Sequence, residues 1–144
     1  MEATLNGKIL PPALNEYLIS SGYVKKMFNS KLKVRGKESL ERNSGIIIYT
    51  PTGSNAFASS AGAKKLPWNK GKIGIVALAP YSGRLKNGEI LLDKGDITLK
   101  CLNKIGEICI DGQDKYTYKI RRGDKIRVRK SSDYALVLDF NKGR

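Results

Sequence analysis

Histidine is missing altogether from these 144 residues, and that one absence removes a large part of enzyme chemistry. A Ser-His or Cys-His nucleophile pair cannot be assembled, and any metal site would fall to carboxylates or to thiols. Zinc held by mixed cysteine and histidine is excluded. Cysteine is nearly as scarce: Cys101 and Cys109 both fall in segments that read as strands. A disulfide between them is open in principle, but with no second pair they read as small, buried, apolar side chains. Long apolar runs are lacking too, since none approaches the roughly 20 residues that a membrane-spanning helix needs. The first residues, "MEATLNGKILPPALNEYL", show no apolar block followed by a small-residue cleavage site. A soluble chain with a cytoplasmic address is the expectation. Acidic residues are the last shortage, 13 against 27 lysines and arginines, for a formal charge of +14. Such a surplus concentrates anionic partners, polynucleotides or phosphorylated small molecules, without choosing between them. The same lysines also suit the solvated outer faces of strands.

What is present is mostly strand grammar. "SKLKVRGK", "GDITLKCL", "EICIDG", "YTYKI", "DKIRVRK" and "YALVLDF" alternate at period two, and "GIIIYT" and "IGIVALAP" are short apolar runs bounded by turn residues. Turns are expected at Lys86-Asn87-Gly88, Lys94-Gly95-Asp96, Asp111-Gly112 and Arg122-Gly123-Asp124. The chain therefore reads as one mainly β domain, an antiparallel meander or sandwich, large enough to bury its own core. "RGKESLERN", Arg35 to Asn43, is the most polar stretch and reads as a hairpin loop. One segment breaks the pattern. "NAFASSAGAKKL", after Ser54, is rich in alanine and predicts a helix of two to three turns, capped by Ser54 or Asn55 and ended near Pro67.

The junction before that helix asks for an explanation. "TPTGSN" follows the apolar "GIIIY" directly, so a strand runs into a turn set by Pro51 and Gly53 and a helix begins at once. Such a junction exposes backbone N–H groups that can take an anion or the polar edge of a ligand. Ala56, Ala58 and Ala61 would let a flat ring come close, although small residues here also serve plain close packing. The order of residues is neither G-x-x-x-x-G-K-[ST] nor G-x-G-x-x-G.

"TPTGSNAFASSAGA" resembles the signature of the NAD kinase family, enzymes that phosphorylate the 2′-hydroxyl on the adenosine ribose of NAD with ATP or polyphosphate. "ALNEYLI", with Asn15 and Glu16, looks like the family's Asn-Glu motif, and "ICIDGQ", with Asp111 and Gly112, looks like its late Asp-Gly-Gln hairpin. The three matches stand in the family's order. The resemblance implies the family's C-terminal domain, a β-sandwich with one short helix after the TPTGS turn. It implies NAD as substrate and, for the full enzyme, ATP or polyphosphate with Mg²⁺. By position, Asn15 and Glu16 would face the adenosine ribose, and Asn55, Ala56 and Ser60 would line the adenine pocket with Phe57 stacking. Ser44 and Ser82 would lie toward the nicotinamide end, and Thr52, Gly53, Ser54 and Asp111 complete the implied NAD-binding set.

Three departures qualify the resemblance. The family's Gly-Gly-Asp-Gly motif, whose aspartate activates the ribose hydroxyl, does not occur in this sequence; in the family it belongs to an N-terminal α/β domain. The resemblance implies a phosphotransferase, and the missing motif leaves open whether this chain acts alone. Ser44 stands where an aspartate is common, and Phe57 keeps a ring but lacks the usual tyrosine hydroxyl. Two accounts fit the missing half: a piece of a longer kinase, which the start at "MEATLNGK" suits, or a stand-alone dinucleotide-binding domain that assembles with a separate catalytic partner. A homo-oligomer is implied, because in the family this domain makes subunit contacts. The rival from another class is a nucleic-acid-binding β module, motivated by the charge, by "YKIRRGDKIRVRK" and by Tyr116, Tyr118 and Tyr134 nearby.

Overall fold

The computed structural model describes residues 1–23 and 25–136. Among these the strands are β1 (Glu2–Leu5), β2 (Lys8–Ile9), β3 (Glu16–Ser20), β4 (Phe28–Val34), β5 (Lys37–Asn43), β6 (Gly45–Tyr49), β7 (Ile73–Leu78), β8 (Ile90–Leu92), β9 (Asp96–Cys101), β10 (Ile105–Ile110), β11 (Gln113–Arg121) and β12 (Lys125–Arg129). They form two sheets, the first in the order β2-β1-β12-β9-β4-β5 and the second in the order β11-β10-β3-β6-β7-β8. Every pairing is antiparallel. The expected mainly β sandwich is the fold.

Between the sheets lies one apolar core. Phe28, Leu32, Val34, Ile97, Leu99, Ile126 and Val128 enter it from the first sheet; Tyr17, Ile19, Ile46, Ile48, Ile75, Ile108 and Ile120 enter from the second. Each such side chain, fully buried, contributes about 1.5–3 kcal/mol of transfer free energy, which is why alternation at period two decides the face each residue takes. A smaller cluster of Ile47, Tyr49, Ala58, Leu66 and Val76 covers the other side of the second sheet. Consequently β6 is buried at every position, as its unbroken "GIIIY" requires.

The turns at Lys94-Gly95-Asp96 and Arg122-Gly123-Asp124 carry the chain from the second sheet to the first. Asp111-Gly112 closes the β10–β11 hairpin with φ of 51° and 64°, the paired left-handed geometry that a two-residue hairpin turn favours. Both cysteines are free, Cys101 buried and Cys109 half-buried.

Two sequence expectations are overturned. "RGKESLERN" is not a loop: after a turn at Arg35 and Gly36 it forms β5, paired with β4 from Phe28↔Asn43 to Val34↔Lys37. Its alternation is inverted, with Glu41 and Asn43 turned inward and Leu40 outward. The Glu41 carboxylate is satisfied there by the Ser39 hydroxyl at 2.6 Å and the N–H groups of Arg84 and Leu85 at 2.8 and 3.2 Å. The helix of two to three turns is likewise absent. A single 3-10 turn, Gly53–Asn55, and a single α turn, α1 (Phe57–Ser60), are separated by Ala56 at φ −97° and ψ −138°. Neither Ser54 nor Asn55 caps a helix; Thr52 and Ala56 hold the cap positions without side-chain bonds. Alanine favours helix only weakly against tertiary constraint, and here residues 62–66 are drawn back across the sheet. "YALVLDF" falls partly outside the described residues, and its described part, Tyr134–Leu136, is exposed and irregular. Among the described residues no helix is long and apolar enough to cross a membrane.

Candidate functional site

Antiparallel pairing of β3 with β6, Glu16 opposite Tyr49, sets the start of one strand beside the end of the other. The Asn15-Glu16 pair thereby meets the Thr50–Ser54 turn although Thr50 lies 34 positions beyond Glu16 in the chain. Three further contacts lock the junction. Thr50 N–H donates to the Asn15 carbonyl at 2.9 Å, and the Thr50 hydroxyl donates to the Leu14 carbonyl at 2.6 Å while accepting the Gly53 N–H at 3.1 Å. Gly53 lies flat on Asn15: a Cβ there would stand 2.1 Å from the Asn15 carbonyl oxygen. That close approach is what this glycine is for.

Asp111 comes to the same place from the β10–β11 turn. One carboxylate oxygen accepts the N–H groups of Asn15 and Glu16 at 2.7 and 3.0 Å, and the other accepts that of Leu14 at 2.8 Å. Its own N–H donates to the Glu16 carbonyl at 3.0 Å. An ionised carboxylate taking three backbone donors is a strong, charge-assisted clamp, so Asp111 fixes the backbone that presents Asn15 and Glu16. Glu16 itself is only 5% exposed, and its Oε2 has no hydrogen-bond partner. Burial, with the nearby charge of Asp111 adding to it, pushes the Glu16 carboxyl above its ordinary value. A buried acceptor without a donor is costly to leave unmade.

Residues 53–66 fold over the outer side of the second sheet. Ser54 is fully buried; its hydroxyl donates to the Pro51 carbonyl at 2.6 Å and accepts the Leu66 N–H at 3.0 Å, which closes the segment on itself. Asn55, Phe57 and Ser60 are exposed and Ala56 is half-buried, so four of the predicted residues stand together on one solvent-facing turn. Phe57 leaves 45% of its surface open. The N–H groups of Gly53, Ser54, Asn55 and Ala56 are not open to a ligand: they bond to the Thr50 hydroxyl, Thr50 carbonyl, Thr52 carbonyl and Gly53 carbonyl.

Sequence reasoning missed the floor under this segment. The Tyr49 hydroxyl donates to Glu89, whose Oε2 also accepts the Lys64 N–H at 3.0 Å. The Tyr49 ring occupies the space above Gly74, where a Cβ would meet it at 2.1 Å. Burial and the Glu89 carboxylate raise the Tyr49 pKa, so it remains a donor. No local signal in "KNGEIL" marks Glu89.

Ser44 and Ser82 sit elsewhere. Ser44 precedes β6, its N–H bonded to the Leu78 carbonyl at 2.9 Å, and Ser82 pairs with Arg42 on β5. With about 3.4 Å per strand residue, Ser44 lies roughly 20 Å from Thr50 along the strand. Within one chain, then, the predicted set forms two groups at opposite ends of β6. Beside the first group a groove of about 730 Å³ opens past Leu14, Thr50–Thr52, Trp68, Lys72 and Tyr134. No group of three or more Asp, Glu or Cys that could hold a metal ion occurs among the described residues.

Residues 14–140 match the model of the ATP-NAD kinase C-terminal domain. The NAD kinase of Thermoplasma acidophilum is 33% identical over 97% of this chain and 52% of its own length. That of Methanocorpusculum labreanum is 34% identical over 96% of the chain and 51% of its own length. The chain thus spans about half the length of the curated relatives it matches. Two solved structures share the fold: an NAD kinase from Archaeoglobus fulgidus in complex with ATP, and yeast NADH kinase complexed with NADH. The first has a TM-score of 0.70 and 22% identity over 89% of this chain and 49% of its own. The second has a TM-score of 0.76 and 21% identity over 94% and 41%. By the match across nearly its whole length, this chain belongs to the ATP-NAD kinase C-terminal domain family.

Proposed function

We propose that this chain is the dinucleotide-recognising half of an NAD kinase, an enzyme that moves a phosphoryl group from ATP or polyphosphate to the 2′-hydroxyl on the adenosine ribose of NAD. The observation that carries this reading is the unpartnered, buried Oε2 of Glu16 beside Asn15, held in place by the Asp111 clamp. A carboxylate and a side-chain amide together accept from and donate to vicinal hydroxyls. Phe57, open on the Thr52–Ser60 turn, offers a face for the adenine ring, with Asn55, Ala56 and Ser60 around it. Asp111 acts through Asn15 and Glu16 as a positioning residue.

Ser44 and Ser82, distant within one chain, serve the nicotinamide end when a second copy brings them to a neighbour's site, and a homo-oligomer belongs to this reading. Phosphoryl transfer is mostly positioning and charge neutralisation. This chain supplies the positioning of the acceptor hydroxyl. The group that activates that hydroxyl comes from a Gly-Gly-Asp-Gly segment in the same gene or a partner chain. Mg²⁺ has no acidic cluster to hold it among the described residues; as the bridging ion of the donor phosphates it needs none. Two free cysteines agree with a reducing, cytoplasmic setting.

Calorimetric titration of the chain with NAD tests the reading. Saturable binding is expected, and Asn15→Ala should weaken it by about 1–3 kcal/mol through the lost hydrogen bond. Unchanged affinity in that variant would remove Asn15 from the site, and no saturable binding would end the proposal.

A further inference from the structure

We propose that the outward face of the first sheet is a docking surface for single-stranded nucleic acid, centred on the row Lys125, Lys100 and Lys31. The register makes the row. Lys125 lies directly opposite Lys100, and Lys100 directly opposite Lys31, with all three side chains exposed on the solvent side. Directly opposed cross-strand residues have Cβ atoms about 4.5–5.5 Å apart, and like charges there are destabilising. Three in line on adjacent strands is an arrangement that plain solvation does not call for.

The rest of the face strengthens the reading. Arg127 pairs with Asp96, Arg129 with Glu2, and Lys31 with Glu38 at 3.5 Å, whereas Lys100 and Lys125 have no carboxylate within ion-pair distance among the described residues. Beyond Lys31 the row continues to Leu40, a 60% exposed apolar side chain on β5. At that edge Tyr81 is also 60% exposed, and the Arg42 guanidinium stands 5.2 Å from its ring centroid. The Tyr81 N–H donates to the Arg42 carbonyl at 2.8 Å, which holds the Tyr81 backbone beside the strand. A phosphate track of lysines thus ends at an aromatic and guanidinium platform. Unpaired bases present faces to stack on such a platform, and a duplex hides them. The lysine row lies on the sheet that does not carry the Asn15–Glu16 site; the Tyr81–Arg42 edge adjoins Ser82, so the lysine variants are the ones that separate this proposal from the kinase reading.

Fluorescence anisotropy of a labelled single-stranded RNA 12-mer, against its duplex and against inorganic polyphosphate, tests this across a salt series. Three neutralised phosphates predict a slope of log affinity against log salt of about −2 for a single strand. Lys100→Gln with Lys125→Gln should shrink that slope by about 1.4 and weaken binding roughly tenfold near 0.1 M salt. The same charge removed from exposed turns, Lys94→Gln with Lys104→Gln, should leave affinity within about twofold. Tyr81→Ala should weaken binding without changing the slope. Thermal melting of each variant confirms folding independently of NAD, so failure here is distinguishable from failure of the kinase reading. Equal losses from the row and turn variants would overturn the proposal by reducing it to bulk charge. Duplex or polyphosphate binding as tight as the single strand would overturn it too.

Discussion

The two sheets share a core and differ in what lies on their other sides. In the first, β4 and β12 alternate buried and outward positions, apolar inward except at Ser30 and polar or charged outward, and the outer face is water. In the second, β6 is buried at all five positions because residues 53–66 fold back over it. A sheet solvated on one side needs only its ladder and its core. A sheet whose second side is covered by a segment with little regular structure needs individual clamps, since that segment's backbone groups must find partners one by one. Those clamps are Gly53 on Asn15, Asp111 on residues 14–16, Ser54 on Leu66 and Glu89 on Lys64. The candidate site of Asn15 and Glu16 lies on the side that the clamps organise.

The contrast breaks most severely at Gly53. Adding one methyl group there puts a Cβ 2.1 Å from the Asn15 carbonyl oxygen, and the atoms it meets are all Asn15 backbone, with no flexible side chain to yield. Gly53→Ala should cost about 3 kcal/mol or more, at the upper end of overpacking effects. Lys100→Ala, on the open face of the first sheet, should change stability by less than about 0.5 kcal/mol. Urea denaturation of the two variants measures both. Comparable losses would mean that the covered face is no more tightly determined than the open one.

The same contrast explains what the sequence made legible. Where a strand follows the rule of one wet and one dry face, or is dry on both, its pattern is visible: β4, β6, β7, β9, β10 and β12 were all expected from alternation or apolar runs. β5 was hidden because its inward residues are Glu41 and Asn43 and its outward residue is Leu40, an inversion supported at Glu41 by the Ser39 hydroxyl and the distant N–H groups of Arg84 and Leu85. The segment after Ser54 misled for a related reason. Its alanines favour helix locally, but Lys64 and Leu66 take partners 25 and 12 residues away. At the candidate site, the residues on the TPTGSN turn were legible because they are adjacent in the chain. The clamping role of Asp111 was not, since the hydrogen bonds span 95 to 97 residues.

An intermediate effect is expected at the floor of the covering segment. Glu89→Ala removes the acceptor for both the Tyr49 hydroxyl and the Lys64 N–H, leaving a buried phenol without a partner. A loss of about 2 kcal/mol follows from orphaned donors of this kind, with faster amide exchange confined to residues near Lys64. Tyr49→Phe, which deletes the donor together with its need, should cost only about 1 kcal/mol. If Tyr49→Phe were the more damaging of the two, the pair would not be a clamp.

The smallest effect distinguishes the faces by charge and changes sign with the property measured. On the open face carboxylates such as Glu2 and Asp96 are paired with arginines; on the covered side Glu16 keeps an unpartnered oxygen. Its carboxyl is raised above the ordinary value by burial and by Asp111. A folded pKa above the unfolded one means that the folded state holds its proton more tightly. Stability contributed by this group is therefore greatest below the ordinary carboxylate range, declines as pH rises toward the raised value, and stays at its lower level beyond it. Glu16→Gln removes the charge and should flatten that decline, making the ligand-free protein slightly more stable at pH 7 than the parent. The same variant should bind NAD more weakly, because an amide is a poorer acceptor for a ribose hydroxyl than a carboxylate. Denaturation curves at pH 4 and pH 7, paired with NAD titrations, would read both signs. A variant that lost stability at pH 7 would show that Glu16 is a partner in the fold and not a charge kept ready for a ligand.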